Sequence, residues 1–203
     1  MRFLTHNTFV PAVAALLATL LLALSLVFTS VDRDALDAVV FNMPAVEVSA
    51  EREFDPAQVT DEVLWLARVI YSETKRPVEQ ELVAWTVRNR VETGYRGKTT
   101  YRSTVLDPWQ YSAFNTNSPK RKHYSTLAVS STAQGFQEAL RIANRVYHAD
   151  ATDRPFVRTT RHFYSEQSMV GGRTPAWAVG KQPVKLADQD IDPRRFRFYA
   201  AIA

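Results

Sequence analysis

The run Thr60-Asp61-Glu62-Val63-Leu64-Trp65-Leu66-Ala67-Arg68-Val69-Ile70-Tyr71-Ser72-Glu73 carries the period that decides the fold. Val63, Leu66, Ala67 and Ile70 recur at i, i+3, i+4 and i+7, the spacing of one buried face of a helix. Thr60 offers a capping hydroxyl, and Asp61 and Glu62 place negative charge at the positive end of the helix dipole, so a helix starts here. Three residues further along the stripe stands Glu73. A carboxyl at the end of an apolar stripe points at the core or a cleft rather than at bulk solvent.

Outward from this run, Pro77 can open a second helix, with Val78, Leu82, Trp85 and Asn89 marking one face through Val91 and Gly94 as its stop. A third helix is predicted from Thr132 to Tyr147, burying Phe136, Leu140, Ala143 and Tyr147 and leaving Arg141 and Arg145 solvated. Residues 95–131, rich in Ser, Thr, Asn, Tyr and Lys, read as loops with room for short strands. In the tail, His162-Phe163-Tyr164 and Phe196-Arg197-Phe198-Tyr199 can pair as strands. No internal repeat is evident.

Of 203 residues, 46% are hydrophobic and 23% charged, enough for one well-packed domain plus an appendage. The absence of cysteine excludes disulfides, thiolate metal sites and a cysteine nucleophile. The 6 glycines form no phosphate loop, dinucleotide fingerprint or nucleophile elbow. A net charge of +4 falls short of a nucleic-acid footprint, so no nucleic-acid partner is expected, while an anionic polymer fits. Residues 9–28 are uncharged and apolar on every face, long enough for a bilayer core of about 30 Å. The expected organisation is an N-terminal flank at 1–8, an uncleaved transmembrane anchor at 9–28, a stalk at 29–58, and an extracytoplasmic domain at 59–203.

Burial raises a carboxyl pKa, so Glu73 can stay protonated near neutrality and donate to a leaving oxygen. The alternative is a structural carboxylate bonded to Arg76 or Arg88. Trp109, Tyr111 and Phe114, with Tyr164 and Trp177, suit a groove for sugar, because aromatic faces stack on apolar sugar faces. Gln110 and Ser112 can bond hydroxyls and acetamides. Trp109 and Tyr111 are the preferred contacts, since both sit in a polar loop. Core packing is the competing role for each of these aromatics. His123, His148 and His162 match no local zinc template, and no metal or organic cofactor is expected.

The segments Leu66-Ala67-Arg68-Val69-Ile70-Tyr71-Ser72-Glu73 and Val83-Ala84-Trp85-Thr86-Val87-Arg88-Asn89-Arg90-Val91 resemble the opening of the cell-wall hydrolase family that includes spore cortex-lytic enzymes. Thr104 to Phe114, His162-Phe163-Tyr164, Pro175-Ala176-Trp177 and Phe196-Arg197-Phe198-Tyr199 resemble its later motifs in the same order, and the match spans roughly residues 62–199. The resemblance implies a compact, lysozyme-like, mainly helical α+β domain that cleaves the glycan strands of peptidoglycan, with Glu73 as catalytic acid. Two departures stand out. Thr74-Lys75-Arg76-Pro77 lacks the family's glycine and second glutamate, and Asp192-Pro193-Arg194-Arg195 replaces Gly-Asn-His.

A hydrolytic glycosidase uses two carboxylates. The matched segments offer Glu73 and the weaker Asp107, which precedes Pro108 as a turn former does. One glutamate suffices for a lytic transglycosylase acting between N-acetylmuramic acid and N-acetylglucosamine, which is the reading adopted. The alternatives are a zinc-dependent amidase that frees the peptide from muramic acid, and an inactive wall-binding domain. The expected partners are glycan strands and the membrane, and protein partners are left open. The anchor reading has a direct consequence: the full-length chain should sediment with membranes, whereas a chain beginning at Glu51 should be soluble and folded. Unprocessed full-length protein in the soluble fraction would contradict it.

Overall fold

The structure, a computed structural model, describes residues 54–186 and 191–202. The expected anchor and nearly all of the stalk fall at residues 1–53, outside the described residues. No helix among the described residues is long and apolar enough to cross a membrane. The described part is α+β and mainly helical.

Helix α1, Asp61–Glu73, begins as its sequence dictates, with the Thr60 side chain accepting from the Val63 amide. Helix α2, Pro77–Glu92, follows after a short turn. Two single-turn helices, α3 at Tyr101–Val105 and α4 at Arg121–Ser125, occupy the stretch expected to hold loops or strands. Helix α5 spans Phe136–His148. It starts four residues later than expected, because the preceding chain is held in turns: Gln137 Nε2 donates to the carbonyls of Val129 and Ser131 at 2.8 and 2.9 Å. Strands β1, Thr160–Tyr164, and β2, Arg197–Ala200, form the expected pair. They run antiparallel, with Phe163 opposite Phe198 and an irregularity between Thr160 and His162.

Helix α1 packs on α5, α2 and α3, while α2 packs on α1, α5, α3 and β1. The core joins Leu66 and Ile70 to Leu82, Trp85, Phe136, Leu140 and Phe198. Enclosed by those neighbours, α2 is buried over most of its circumference, including Glu79, Gln80, Thr86, Asn89 and Arg90. The single buried face predicted for it is therefore too narrow, and Val78, placed on that face by the sequence, is instead 48% exposed. The polar groups of α2 position the rest of the domain. Asn89 Nδ2 donates to Thr160 O at 2.8 Å and Arg90 Nε to Arg161 O at 2.6 Å, which fixes β1 against the helix.

The turn between α1 and α2 is clamped from the far end of the chain. Arg195 donates from Nε and Nη2 to the two carboxylate oxygens of Glu79 at 2.6 and 3.0 Å, a bidentate pair with a carboxylate that is 2% exposed. Thr74 Oγ1 donates to the same carboxylate, and Gln80 Nε2 donates to Thr74 O at 2.9 Å. Burial alone would raise the Glu79 carboxyl, but the hydrogen bonds from Arg195 and Thr74 outweigh it and hold the group below its ordinary range. Arg195→Ala leaves a buried carboxylate without its main counter-ion and should cost about 3 kcal/mol near neutral pH. A lowered folded pKa adds stability that is lost as pH falls, so the gap should close below the ordinary carboxylate range. Urea unfolding at two pH values checks both statements.

Candidate active site

Glu73 is the last residue of α1. The helix stops there because Thr74 turns extended, and the Pro77 ring forbids continuation. Glu73 is half-buried at the helix end. Among the described residues its carboxyl makes no hydrogen bond or ion pair. The two arginines that sequence offered as structural partners are engaged elsewhere: Arg76 approaches Glu79 at 4.0 Å, and Arg88 pairs with Glu92 at 2.6 Å while donating to Val146 O. Loss of solvent pushes the Glu73 carboxyl up to about 7, opposed by the positive charge of Arg90.

Around it stand Arg90 from α2, Tyr111 from the loop after α3, and Tyr124 from α4. Burial raises the phenol of Tyr111, and the charge of Glu73 adds to that rise; the same two causes act on Tyr124. The Arg90 guanidinium lies 5.1 Å from the centre of the Tyr111 ring. Arg90 also reaches His162, whose imidazole is pushed down to about 4 by burial and by the charges of Arg90 and Arg161. His162 Nε2 is bonded to the Tyr95 hydroxyl at 2.9 Å, and its ring lies 5.2 Å from that of Trp177. Among the described residues no three His, Asp or Glu side chains converge as a metal site would require.

Of the predicted sugar contacts, Trp109 is 78% exposed, Ser112 is exposed and Gln110 is half-buried. Trp109 holds a left-handed backbone (φ 67) and donates its N–H to Asn115 Oδ1 at 2.9 Å. The structure corrects the expectation for Tyr111 and Phe114, which are core residues. Tyr111 is 1% exposed, between Arg90 and Phe163, and the Phe114 ring lies 6.2 Å from both Trp65 and Tyr124. The loop alternates, so that Gln110 and Ser112 face out while Tyr111, Ala113 and Phe114 face in. Its polar composition therefore describes only the outer half.

Tyr164 is also buried, stacked on Tyr199 and flanked by the edge of half-buried Trp177 in a second small cluster. Beside that cluster lies an open cavity of about 350 Å³, bordered by Thr174, Lys181 and Arg197. Asp107 is held by Arg96 at 2.6 Å and accepts the Gln110 amide, which makes it the anchor of the turn.

Arg90 was missed by sequence reasoning, although the argument that found Glu73 would have found it. Val83, Val87 and Arg90 follow at i, i+4 and i+7, again with a charge at the end of an apolar stripe. No family model, curated protein or solved structure matches the chain.

Trp109→Ala should leave stability within about 1 kcal/mol, whereas Tyr111→Ala should cost about 3 kcal/mol or more, as removal of a buried aromatic does. Thermal melts of both variants test the division between rim and core. Glu73 should also give stability a particular pH dependence. Its folded pKa of about 7 lies above the ordinary 4.5, so the folded state holds the proton more tightly and stability falls as pH rises through that window. His162, lowered to about 4, acts in the opposite sense below its ordinary 6.5. The difference in melting temperature between Glu73→Gln and the native chain cancels the histidine, and it should grow in favour of Glu73→Gln from about pH 4.5 to about pH 7.

Proposed function

We propose that this chain cleaves the glycan strands of peptidoglycan as a lytic transglycosylase, with Glu73 as its acid and then its base. The observation that carries the reading is a single half-buried carboxyl without a hydrogen-bonding or ionic partner among the described residues, pushed up to about 7 by loss of solvent. That is the protonation range in which one group can both give and take a proton near neutral pH.

The nearby carboxylates support a one-carboxylate site. Asp107 is occupied by Arg96 and Glu79 by Arg195 and Thr74, so neither is free to act as a second base. With one carboxylate, the acid protonates the glycosidic oxygen as the bond to the muramyl anomeric carbon breaks. The muramyl 6-hydroxyl then closes on that carbon and returns its proton to the same carboxylate. No water is consumed. The domain in this reading is lysozyme-like, and exposed Trp109 with Gln110 and Ser112 beside it forms the rim that meets sugar. The uncharged run at 9–28 anchors it to the membrane on the extracytoplasmic side, within reach of the wall.

Glu73→Gln keeps the size of the side chain and removes its proton, so turnover of purified glycan strands should fall by roughly 10²–10⁴ while the protein stays folded and still pellets with sacculi. Mass spectrometry of the native enzyme's products should show the anhydro form, lighter than the hydrolytic product by one water. Near-normal turnover from folded Glu73→Gln overturns the mechanism. Pelleting of the native chain without any fragment release favours a wall-binding domain, and loss of activity with chelator favours an amidase.

A further inference from the structure

Arg90 is 4% exposed and forms no ion pair among the described residues. Its Nε is used on Arg161 O at 2.6 Å, while its Nη1 is buried without a partner. The Tyr111 hydroxyl is also buried without a partner. The carboxyl on which the charge of Arg90 acts is that of Glu73. A buried cation and a buried hydroxyl thus share one region with a carboxyl to which neither is bonded. Fold stability alone would not favour such an arrangement, because an uncompensated buried cation and idle donors both cost folding free energy.

The proton cycle accounts for it. While Glu73 is protonated it is neutral and needs no counter-ion. Once the proton has passed to the glycosidic oxygen, a carboxylate remains, and Arg90 Nη1 and the Tyr111 hydroxyl are buried donors in the same region that can turn to it. We propose that Arg90 and Tyr111 are positioning residues that receive the Glu73 carboxylate after proton transfer, holding it until it takes the proton back from the muramyl 6-hydroxyl. This inference rests on the reading of Glu73 as acid and base. Arg90 and Tyr111 act only as hydrogen-bond donors to that carboxylate and transfer no proton, so the atom balance of the reaction is unchanged.

The other groups near Glu73 are less suited to the role. Lys75 folds back, bonding the Tyr71 carbonyl with its ammonium 3.0 Å from the centre of the Tyr71 ring. Tyr124 is a neutral phenol on α4, and burial pushes its ionisation further up. His162 on β1 is neutral above about 4 and is bonded to Tyr95.

The test is nuclear magnetic resonance of the full-length protein, following arginine guanidinium nitrogens and glutamate carboxyl carbons from about pH 5 to 9 in the native chain and in Glu73→Gln. The Arg90 Nη signals should move with the Glu73 carboxyl, midpoint about 7, and should stay flat in Glu73→Gln. Flat Arg90 signals in the native chain overturn the proposal, and this comparison needs no Arg90 variant to fold. Where they fold, Arg90→Gln should shift the Glu73 midpoint upward and lower kcat about a hundredfold with KM little changed, and Arg90→Lys should restore part of both. Tyr111→Phe should move both readouts in the same direction by less. An unmoved Glu73 midpoint in folded Arg90→Gln also overturns it. Cleavage by the native chain with flat Arg90 signals sinks this proposal alone, whereas no cleavage with Arg90 tracking Glu73 sinks the enzyme reading alone.

Discussion

The bidentate contact between Arg195 and Glu79 is the constraint on which the site depends. Glu79 lies in the first turn of α2, six residues after Glu73, and its carboxylate is almost wholly buried. Buried charge without compensation would drive that turn apart. With Arg195 on one side and Thr74 Oγ1 on the other, the same carboxylate holds together the end of α1, the start of α2 and the segment entering β2. Thr74 is also the residue that ends α1. The direction in which Glu73 points therefore follows from an ion pair in which Glu73 takes no part.

The distribution of charge on α2 makes the second half of the argument. Of its buried polar groups, Glu79 is fully satisfied, Asn89 and Arg90 spend part of their capacity on β1, and Arg90 keeps one nitrogen unspent. The satisfied end of the helix gives the site its rigidity. The unsatisfied end gives it an electrostatic bias, since one guanidinium both restrains the upward shift of Glu73 and adds to the burial that lowers His162. A helix buried on nearly all sides can do both because its neighbours differ from turn to turn.

Much of this was legible in the amino-acid sequence wherever a period ran long enough to be read. Helix α1 showed its cap, its stripe and the carboxyl at the end of the stripe, and the aromatic segments of β1 and β2 announced a pair of strands. Helices α3 and α4 were not legible because five residues make little more than one turn, too short for any hydrophobic repeat. Tyr111 and Phe114 were misplaced because a polar loop does not reveal which of its aromatics turn inward. Arg90 was overlooked because a single-face reading of α2 hid the fact that a helix with neighbours all round buries its charges too. The Glu79 to Arg195 contact spans 116 residues, and no local pattern announces a bond of that reach.

That span also orders events on the ribosome. A chain emerging from its N-terminus exposes Glu73 and Glu79 early, but the arginine that neutralises Glu79 follows it by 116 residues. Long-range closure of this kind is a late step, because the chain entropy of joining distant segments must be overcome before the contact can form. Until Arg195 has emerged, the turn bearing Glu73 lacks its clamp. A chain truncated ahead of Arg195 would carry every residue of the acid and its neighbours and still lack a formed site. Formation of the site therefore waits on the segment that enters β2.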